Sequence, residues 1–198
     1  MSPALSSSPV AQAVVIGASA GAVEALIRIL PELPADYPLP LVIVVHLPPD
    51  RDSTLAALLD ARCRIRVKEA EDKEPLLPGT AYIAPPDYHL LIEPELLLSL
   101  SNEEPVLYSR PSIDVLFESA ADAFGDALTG IILTGANSDG ARGLRAVCTA
   151  GGLTLVQTPE TADADAMPRA ALEACPGARA LTLAQITGAL KTELPRTS

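Results

Sequence analysis

The sequence predicts an α/β domain, a three-layer doubly wound fold around a mostly parallel sheet with an antiparallel hairpin excursion. Two unbroken apolar runs, at residues 13–16 and 41–46, indicate strands that are buried on both faces, as in parallel sheets. Stretches of helical spacing alternate with these strands and with further apolar runs at residues 127–133 and 153–157. A chain of 198 residues, 48% of them hydrophobic, is long enough to form one such core.

In the first part of the chain, helices are predicted from turn or capping residues followed by helical spacing. Residues 23–30 have helical composition and come directly after the glycines that end the first strand. Residues 53–60 form a further predicted helix, for which Asp52 or Ser53 is the N-cap. A short apolar segment at residues 65–67 predicts the next strand.

The middle of the chain is predicted to leave the parallel pattern. Residues 81–84 and 88–92 are short apolar runs on either side of the Pro-Pro-Asp sequence at residues 85–87, which indicates an antiparallel hairpin. Residues 96–100 are expected to extend this hairpin, and the polar residues 101–111 predict a loop.

The second half of the chain returns to alternating helices and strands. Residues 113–124 have helical spacing with Ser112 as the expected N-cap, and the apolar run at 127–133 predicts the strand that follows. The remaining predicted elements are a helix at 140–150 that ends at Gly151, a strand at 153–157, a helix at 167–174 and a weakly amphipathic helix at 184–194.

Composition excludes several classes of function. A net charge of −11 argues against nucleic-acid binding, and 3% aromatic residues without tryptophan argue against a base-stacking surface. The three cysteines are widely spaced and form no C-x-x-C pair, so neither disulfides nor a zinc site are indicated, and a reducing cytoplasmic location is expected. Neither a signal peptide nor a membrane span is found, so membrane insertion is not expected.

A single domain is predicted. Residues 1–12 are expected to form a flexible N-terminal tail, and residues 13–194 to form the domain itself. No internal repeat, low-complexity tract or interdomain linker interrupts these residues.

Three polar residues stand at the predicted carboxyl ends of parallel strands. Ser19 follows the strand at 13–16, His46 ends the second strand, and Asp139 lies in the turn after the strand at 127–133. Because α/β sheets of this kind bind ligands at the carboxyl ends of their strands, the three side chains are candidates for one site.

Ser19 is the central residue of the sequence GASAG, which matches the G-x-S-x-G nucleophile elbow. A serine hydroxyl needs a base to become a nucleophile, and a histidine base needs a carboxylate to orient it. The chain has two histidines, His46 and His89, and His46 is the one predicted at the ligand edge. Ser19, His46 and Asp139 are therefore the candidate catalytic residues, in a chain order that differs from the Ser, Asp, His of α/β-hydrolases.

The same residues have alternative interpretations. A serine in a Gly-Ala turn is commonly a helix cap, a histidine at a strand end is commonly structural, and an aspartate before glycine is commonly a turn residue. Residues 17–22 also follow a strand and open a helix, as a dinucleotide-binding loop does. That interpretation is not favoured, because Ser19 replaces a required glycine and His46 stands where an acidic ribose ligand is expected.

Seven short motifs also occur in order along the chain. They are GASAG (17–21), VHLPP (45–49), VKEAED (67–72), LPGTAYIAP (77–85), RPSIDVLF (110–117), LTGANSDGA (133–141) and MPR (167–169). Together they resemble the catalytic domain of the CheB-type chemoreceptor protein-glutamate methylesterases. The resemblance runs from about residue 13 to about residue 190, which is nearly the whole chain.

This resemblance implies a doubly wound α/β fold with a Ser-His-Asp triad. Such enzymes hydrolyse γ-methyl esters of glutamates on chemoreceptor helices, often with deamidation of glutamines there. Carried over by position, Ser19 is the nucleophile, His46 the base and Asp139 the carboxylate that orients it. The implied partners are methylated receptor helices and water, and neither a cofactor nor a metal is implied.

The resemblance also places the oxyanion hole and the pocket. The backbone N–H groups of Ala20 and Ala136 occupy the oxyanion positions, with Gly21 and Asn137 beside them. Two departures from the family pattern affect this region. Ala22 stands where the family has a glycine, so its methyl group is expected to narrow the backbone approach. Gly-Ala-Asn replaces Gly-Met-Gly before the aspartate, so a changed pocket shape is expected.

Regulation is expected to differ as well. Members of the family usually carry a phosphoryl-accepting receiver domain ahead of the esterase, and 12 residues before the first strand cannot hold one. The sequence therefore predicts a stand-alone domain that is controlled by a separate regulatory protein. The alternative is a regulatory or binding module that keeps the fold but is catalytically weak.

Overall fold

Nine strands and six helices make up the part of the chain that the computed structural model describes, residues 12–47 and 54–193. The strands are β1 (Ala13–Ala18), β2 (Leu41–Val45), β3 (Arg66–Glu69), β4 (Thr80–Ile83), β5 (His89–Ile92), β6 (Leu98–Ser101), β7 (Leu128–Ile132), β8 (Leu153–Gln157) and β9 (Arg179–Leu181). The helices are α1 (Ala22–Ile29), α2 (Leu55–Asp60), α3 (Ile113–Phe124), α4 (Ala141–Thr149), α5 (Ala166–Ala174) and α6 (Leu183–Thr192).

A seven-stranded parallel sheet forms the middle layer, in the order β3-β4-β2-β1-β7-β8-β9. The strand β1 lies at its centre, where Ala18 is the register partner of Val45 in β2 and Gly17 is the partner of Ile132 in β7. All six residues of β1 are buried, which explains why its sequence is an apolar run rather than an alternating one. The predicted α/β class with a mostly parallel sheet is confirmed.

Helices cover both faces of this sheet. Val14 and Ile16 face one side, where α1, α2 and α6 supply the apolar cluster. Ala13 and Val15 face the other side, where they pack in a second cluster with α3, α4, α5 and the β5–β6 hairpin. The alternation of side chains along a strand thus divides the core between the two outer layers.

The predicted hairpin is present but lies further along the chain. Residues 81–84 do not pair with residues 88–92. Instead, β4 is a parallel strand between β2 and β3, with Ile83 opposite Ile43, and all four of its residues are buried. The antiparallel pair is β5 with β6. Pro85 and Pro86 have no N–H to donate to a ladder, so they end β4 and direct the chain out of the main sheet.

Smaller differences concern element ends. The third strand spans Arg66–Glu69 rather than residues 65–67, and the edge strand β9 was not expected because its three residues are partly exposed and show no apolar run. The proposed caps Asp52 and Ser53, and most of the N-terminal tail, lie outside the described residues. Among the described helices, none has the length and apolar character needed to cross a membrane.

Replacing Gly17 by alanine is expected to destabilise the domain. A Cβ at this position of β1 would clash with Cγ2 of Ile113, the first residue of α3. Overpacking of this kind costs about 1–3 kcal/mol, to be measured by denaturant unfolding. Gly188→Ala in α6 is the matched control, because nothing lies within 4 Å of the added Cβ. The free energy of unfolding of the control is expected to rise by about 0.5–1 kcal/mol. Equal effects of the two substitutions on that free energy would contradict the close packing at Gly17.

Candidate active site

Ser19 lies on a tight turn between β1, which ends at Ala18, and α1, which begins at Ala22. The carbonyl of Ser19 accepts a hydrogen bond from the N–H of Ala22 at 2.9 Å. Gly21 has a φ of +82°, and an added Cβ there would lie 2.6 Å from a carboxylate oxygen of Asp163. This position therefore requires glycine, and the turn places Ser19 before the N-terminus of α1, where partial positive charge favours a developing anion.

His46 is the neighbour of Ser19 across the sheet. It follows Val45, the register partner of Ala18, and its N–H donates to the carbonyl of Ala18 at 3.2 Å. Adjacent strands lie about 4.8 Å apart, so the residues that directly follow this pair leave the sheet side by side. The sequence-based placement of Ser19 and His46 at one edge is consistent with this register.

Asp139 is held against His46. The Nε2 atom of His46 lies 2.7 Å from Oδ2 of Asp139, and the aspartate side chain is completely buried while that of the histidine is 13% exposed. An ionised carboxylate can only accept, so Nε2 carries the hydrogen and Nδ1 has the free lone pair. In a neutral ring of this tautomer, Nδ1 is the atom that can take up a proton.

The carboxylate of Asp139 accepts three further hydrogen bonds. The hydroxyl of Ser112 and the N–H of Asp114 donate to Oδ1 at 2.9 and 3.0 Å, and the N–H of Ile113 donates to Oδ2 at 2.7 Å. Burial by itself would raise the pKa of Asp139, but the hydrogen bonds from His46 and from the backbone of Asp114 and Ile113 outweigh it and lower that pKa. Asp139 is thus held in its ionised form.

Ser112 does not cap α3 in the way that the sequence suggests. It stands at the N-cap position, but its side chain makes no capping hydrogen bond and donates instead to Asp139. The N–H groups of Ile113 and Asp114 in the first turn of α3 are satisfied by the Asp139 carboxylate. The aspartate therefore performs the capping role from a distant part of the chain.

Asp114 makes the reciprocal contact at the start of α4. Its Oδ1 accepts the N–H of Gly140 at 3.0 Å and that of Gly143 at 2.7 Å. Burial and the nearby charge of Asp139 raise the pKa of Asp114, against the opposing effect of the Gly143 hydrogen bond. Since Gly140 directly follows Asp139, this second carboxylate fixes the backbone that carries the first. Local spacing in the sequence gives no signal for this role of Asp114.

The second histidine is excluded as the base by its contacts. His89 is 2% exposed, its Nδ1 accepts the N–H of Ser112 at 3.1 Å, and its Nε2 lies 3.0 Å from the carbonyl of Glu104. Since Nδ1 acts as an acceptor and a carbonyl cannot donate, Nε2 carries the hydrogen and the ring is neutral with both nitrogens occupied. His89 thus supports the backbone that precedes α3.

Asn137 lies between the aspartate and the histidine. Its Oδ1 accepts the N–H of Asp139 at 3.0 Å, and its Nδ2 is 3.4 Å from Nδ1 of His46. The side chain is exposed, so it forms part of the accessible wall of the site. The Gly-Ala-Asn sequence therefore places an amide donor next to the unprotonated nitrogen of the imidazole.

Ala20 and Ala136 are exposed residues in two neighbouring turns. Within residues 12–47 and 54–193, no protein acceptor is found for the N–H of Ala20 or of Ala136. Two free N–H groups of this kind are the donors that an oxyanion hole needs. Ala22, the first residue of α1, is in contrast 2% exposed and packs in the apolar cluster on this face of the sheet. The expectation that its methyl group narrows the approach to the backbone N–H groups is therefore wrong.

Thr134 joins these two turns and was not singled out from the sequence. Its carbonyl accepts the N–H of Ser19 at 2.9 Å, and its hydroxyl lies 2.8 Å from the carbonyl of Ala20. Gln157 at the end of β8 accepts the N–H of Thr134 at 3.0 Å, which anchors this link to the sheet. The contacts hold the Ser19 turn against the segment that leads to Ala136.

Comparison with known proteins gives one consistent match. A family model described as CheB methylesterase matches residues 14–190. A protein of Leptospira interrogans is 51% identical over 163 residues, which cover 82% of this chain and 84% of that protein. A Chromohalobacter salexigens protein named protein-glutamate methylesterase/protein-glutamine glutaminase is 43% identical over 191 residues, covering 95% of this chain. The chain spans 53% of that relative's length.

A solved structure agrees with this match. The crystal structure of the Thermotoga maritima CheB methylesterase catalytic domain superposes with a TM-score of 0.88 at 34% sequence identity. The superposition covers 91% of this chain and 97% of that one, so the two share the same arrangement of sheet and helices.

Removing the carboxylate of Asp114 is expected to destabilise the domain. Asp114→Ala leaves the buried N–H groups of Gly140 and Gly143 without an acceptor, at a cost of about 1–3 kcal/mol for each. Asp114→Asn keeps an oxygen acceptor, so its free energy of unfolding is expected to fall much less. Denaturant unfolding of both variants measures the difference, and equal losses would contradict the capping role.

Asp139 is expected to make stability depend on pH in one direction. Its pKa is lowered in the folded state, so its contribution is fully present above its unfolded pKa of about 3.9. That contribution is lost as the pH falls through the lower folded pKa. The difference in unfolding free energy between wild type and Asp139→Asn should therefore be largest above pH ~5 and shrink towards pH ~2. Asp122→Asn, an exposed residue of α3, is the control.

Proposed function

Because the chain belongs to the CheB methylesterase family, we propose that it is a protein-glutamate methylesterase whose nucleophile is Ser19, with His46 as base and Asp139 as orienting carboxylate. The substrate is the γ-methyl ester of glutamate side chains on chemoreceptor helices. The observation that carries the assignment is the hydrogen bond between His46 and the buried Asp139, at the edge where Ser19 leaves the neighbouring strand. The alternative of a catalytically weak binding module is not favoured, since the groups needed for catalysis are present.

In the first step, the Oγ atom of Ser19 attacks the ester carbonyl carbon. The hydroxyl proton of Ser19 moves to Nδ1 of His46, because Nε2 already carries a hydrogen that it donates to Asp139. The negative charge that develops on the carbonyl oxygen is stabilised by the N–H groups of Ala20 and Ala136. One well-placed donor of this kind contributes roughly 3–4 kcal/mol.

The tetrahedral intermediate then collapses. The carbon–oxygen bond to the methoxy group breaks, His46 returns its proton to that oxygen, and methanol leaves while the glutamyl group stays esterified to Ser19. A water molecule attacks the acyl-enzyme and gives its proton to His46, which passes a proton to Oγ of Ser19. The products are methanol and a glutamate side chain, with the enzyme unchanged.

Asp139 stabilises the imidazolium without taking its proton. Its charge is spread over hydrogen bonds from His46, the Ser112 hydroxyl and the first turn of α3. The bonds from His46 and from the backbone of Asp114 and Ile113 keep its pKa low against the opposing effect of burial. The proton therefore stays on the imidazole and is not transferred to Asp139. Asn137, through the N–H of Asp139, helps to keep the carboxylate in place.

Deamidation of receptor glutamines follows from the same groups. The relative from Chromohalobacter salexigens is named a protein-glutamine glutaminase as well as a methylesterase. Attack of Ser19 on an amide gives an equivalent tetrahedral intermediate. His46 then protonates the amide nitrogen as the carbon–nitrogen bond breaks, and ammonia leaves. We propose this as a second reaction of the same site.

Electrostatics favour release of the product. The chain has a net charge of −11, and hydrolysis converts a neutral ester into a carboxylate on the receptor. Repulsion between the new charge and the acidic enzyme promotes dissociation.

We propose that the enzyme acts in the cytoplasm under the control of a separate regulatory protein. Its three cysteines are free, as expected in a reducing compartment.

Replacing Ser19 by alanine is expected to abolish methanol release from methylated receptor membranes, because the nucleophile is lost. The measurement is release of labelled methanol over time, with circular dichroism to show that the variant is folded. Ser138→Ala is the matched control, since Ser138 is an exposed serine in the turn that carries Asp139. Undiminished release by Ser19→Ala would contradict the proposal.

A covalent probe checks the same assignment independently of the receptor. A fluorophosphonate is expected to label Ser19 in the wild type, and mass spectrometry of the labelled peptide identifies the position. His46→Ala should slow labelling by about 10²–10⁴-fold, the usual contribution of a general base. A label on another serine would rule out Ser19 as the nucleophile. Equal labelling rates in the wild type and His46→Ala would rule out His46 as its base.

A further inference from the structure

A two-residue turn stands beside the proposed catalytic site. Leu107 and Tyr108 connect Val106 to Ser109, and the N–H groups of Val106 and Ser109 bond each other's carbonyls at 3.0 and 2.9 Å. Both central residues have positive φ, 48° for Leu107 and 62° for Tyr108. This is the geometry of a tight hairpin turn, for which Asn-Gly is the favoured sequence.

The side chains at this turn are unusual for its geometry. Bulky residues rarely adopt positive φ, and in proteins such conformations concentrate at functional sites. Tyr108 is also fully exposed, at 102% of its reference area, and Leu107 is 54% exposed. Neither the turn geometry nor the core thus explains why an aliphatic and an aromatic residue occupy these positions.

The turn is held rigidly at its base. The guanidinium of Arg110 donates to Oδ1 of Asp87 at 2.7 and 3.0 Å, and to the carbonyls of Asn102 and Glu103 at 3.0 and 3.1 Å. His89 contacts the next carbonyl, that of Glu104, at 3.0 Å. The exposed tip is therefore carried on a braced support, which keeps it in one place.

The turn also borders the groove that leads to His46. A groove of about 410 Å³ is lined by His46 together with Tyr108, Ser109 and Arg110, among other residues. A polypeptide that presents a side-chain ester to His46 can reach it along this groove. Tyr108 is the exposed aromatic wall of that path.

We propose that the Leu107–Tyr108 turn is a substrate-recognition element, in which Tyr108 packs on the surface of the helix that carries the esterified glutamate. The inference rests on the proposed function and names how the same site selects its substrate. An aromatic side chain on a rigid turn supplies a large contact area and loses little conformational freedom on binding. Because Tyr108 would contact the helix away from the reacting ester, the enzyme would distinguish an ester on a protein helix from a small-molecule ester.

The test is methanol release as a function of the concentration of methylated receptor. Tyr108→Ala is expected to raise KM by at least about fivefold, as for a residue that contributes substantially to an interface, with a much smaller change in kcat. Tyr88→Ala is the matched control, because Tyr88 is a second exposed tyrosine, at 45%, that does not line the groove. A KM for Tyr108→Ala within about twofold of wild type would overturn the inference.

A second variant separates side-chain contact from turn shape. Leu107→Asn/Tyr108→Gly installs the favoured sequence for this turn, so it is expected to raise Tm while KM rises as in Tyr108→Ala. A KM that stays at the wild-type value in the double variant would overturn the inference. Loss of fluorophosphonate labelling of Ser19 in either variant would also overturn it, because the turn would then support the site rather than bind substrate.

The proposed function has its own readout in these experiments. If the wild-type protein releases no methanol from methylated receptor, the proposed function fails and the inference fails with it. If the wild type releases methanol and the two Tyr108 variants do not differ from it in KM, the inference alone fails.

Discussion

The buried carboxylate of Asp139 is the interaction on which the rest of the site depends. One of its oxygens accepts from His46 and Ile113, and the other from Ser112 and Asp114. A buried charge is tolerated only when its hydrogen-bonding capacity is satisfied, and here it is satisfied by a helix N-terminus and an imidazole together. The ion therefore fixes the position of α3 and the tautomer of His46 at once.

The parallel topology brings the parts of the site together. Because β1 lies between β2 and β7, the segments that follow these three strands emerge at one edge of the sheet. Reciprocal contacts then align the layer above them. Asp139 satisfies the first turn of α3, while Asp114 of α3 satisfies the start of α4, directly after Asp139. Movement of either helix would displace both carboxylates, so the site is rigid before substrate arrives, as electrostatic stabilisation of a transition state requires.

The chemistry and the substrate recognition that we propose use separate parts of the fold. The proposed reacting groups are held on strand ends and helix starts, where backbone hydrogen bonds limit their freedom. The groove wall at Tyr108 belongs to a segment outside the main sheet, between the β5–β6 hairpin and α3. Arg110 and His89 tie this segment to the remainder of the domain. Under the proposal, a change in the exposed turn would alter which helix is bound without disturbing His46 and Asp139.

The sequence by itself determined the fold class, nearly all helices and strands of the described chain, the family and the candidate residues Ser19, His46 and Asp139. These follow from apolar runs, local spacing and ordered motifs, which are properties of short segments. Tertiary structure alone decided that β4 joins the parallel sheet, which imidazole nitrogen is free, and that Asp139 rather than Ser112 caps α3. It also assigned Asp114 and Thr134 their contacts, because these join residues 23 or more positions apart. Such contacts depend on strand order and helix packing, which local periodicity does not encode.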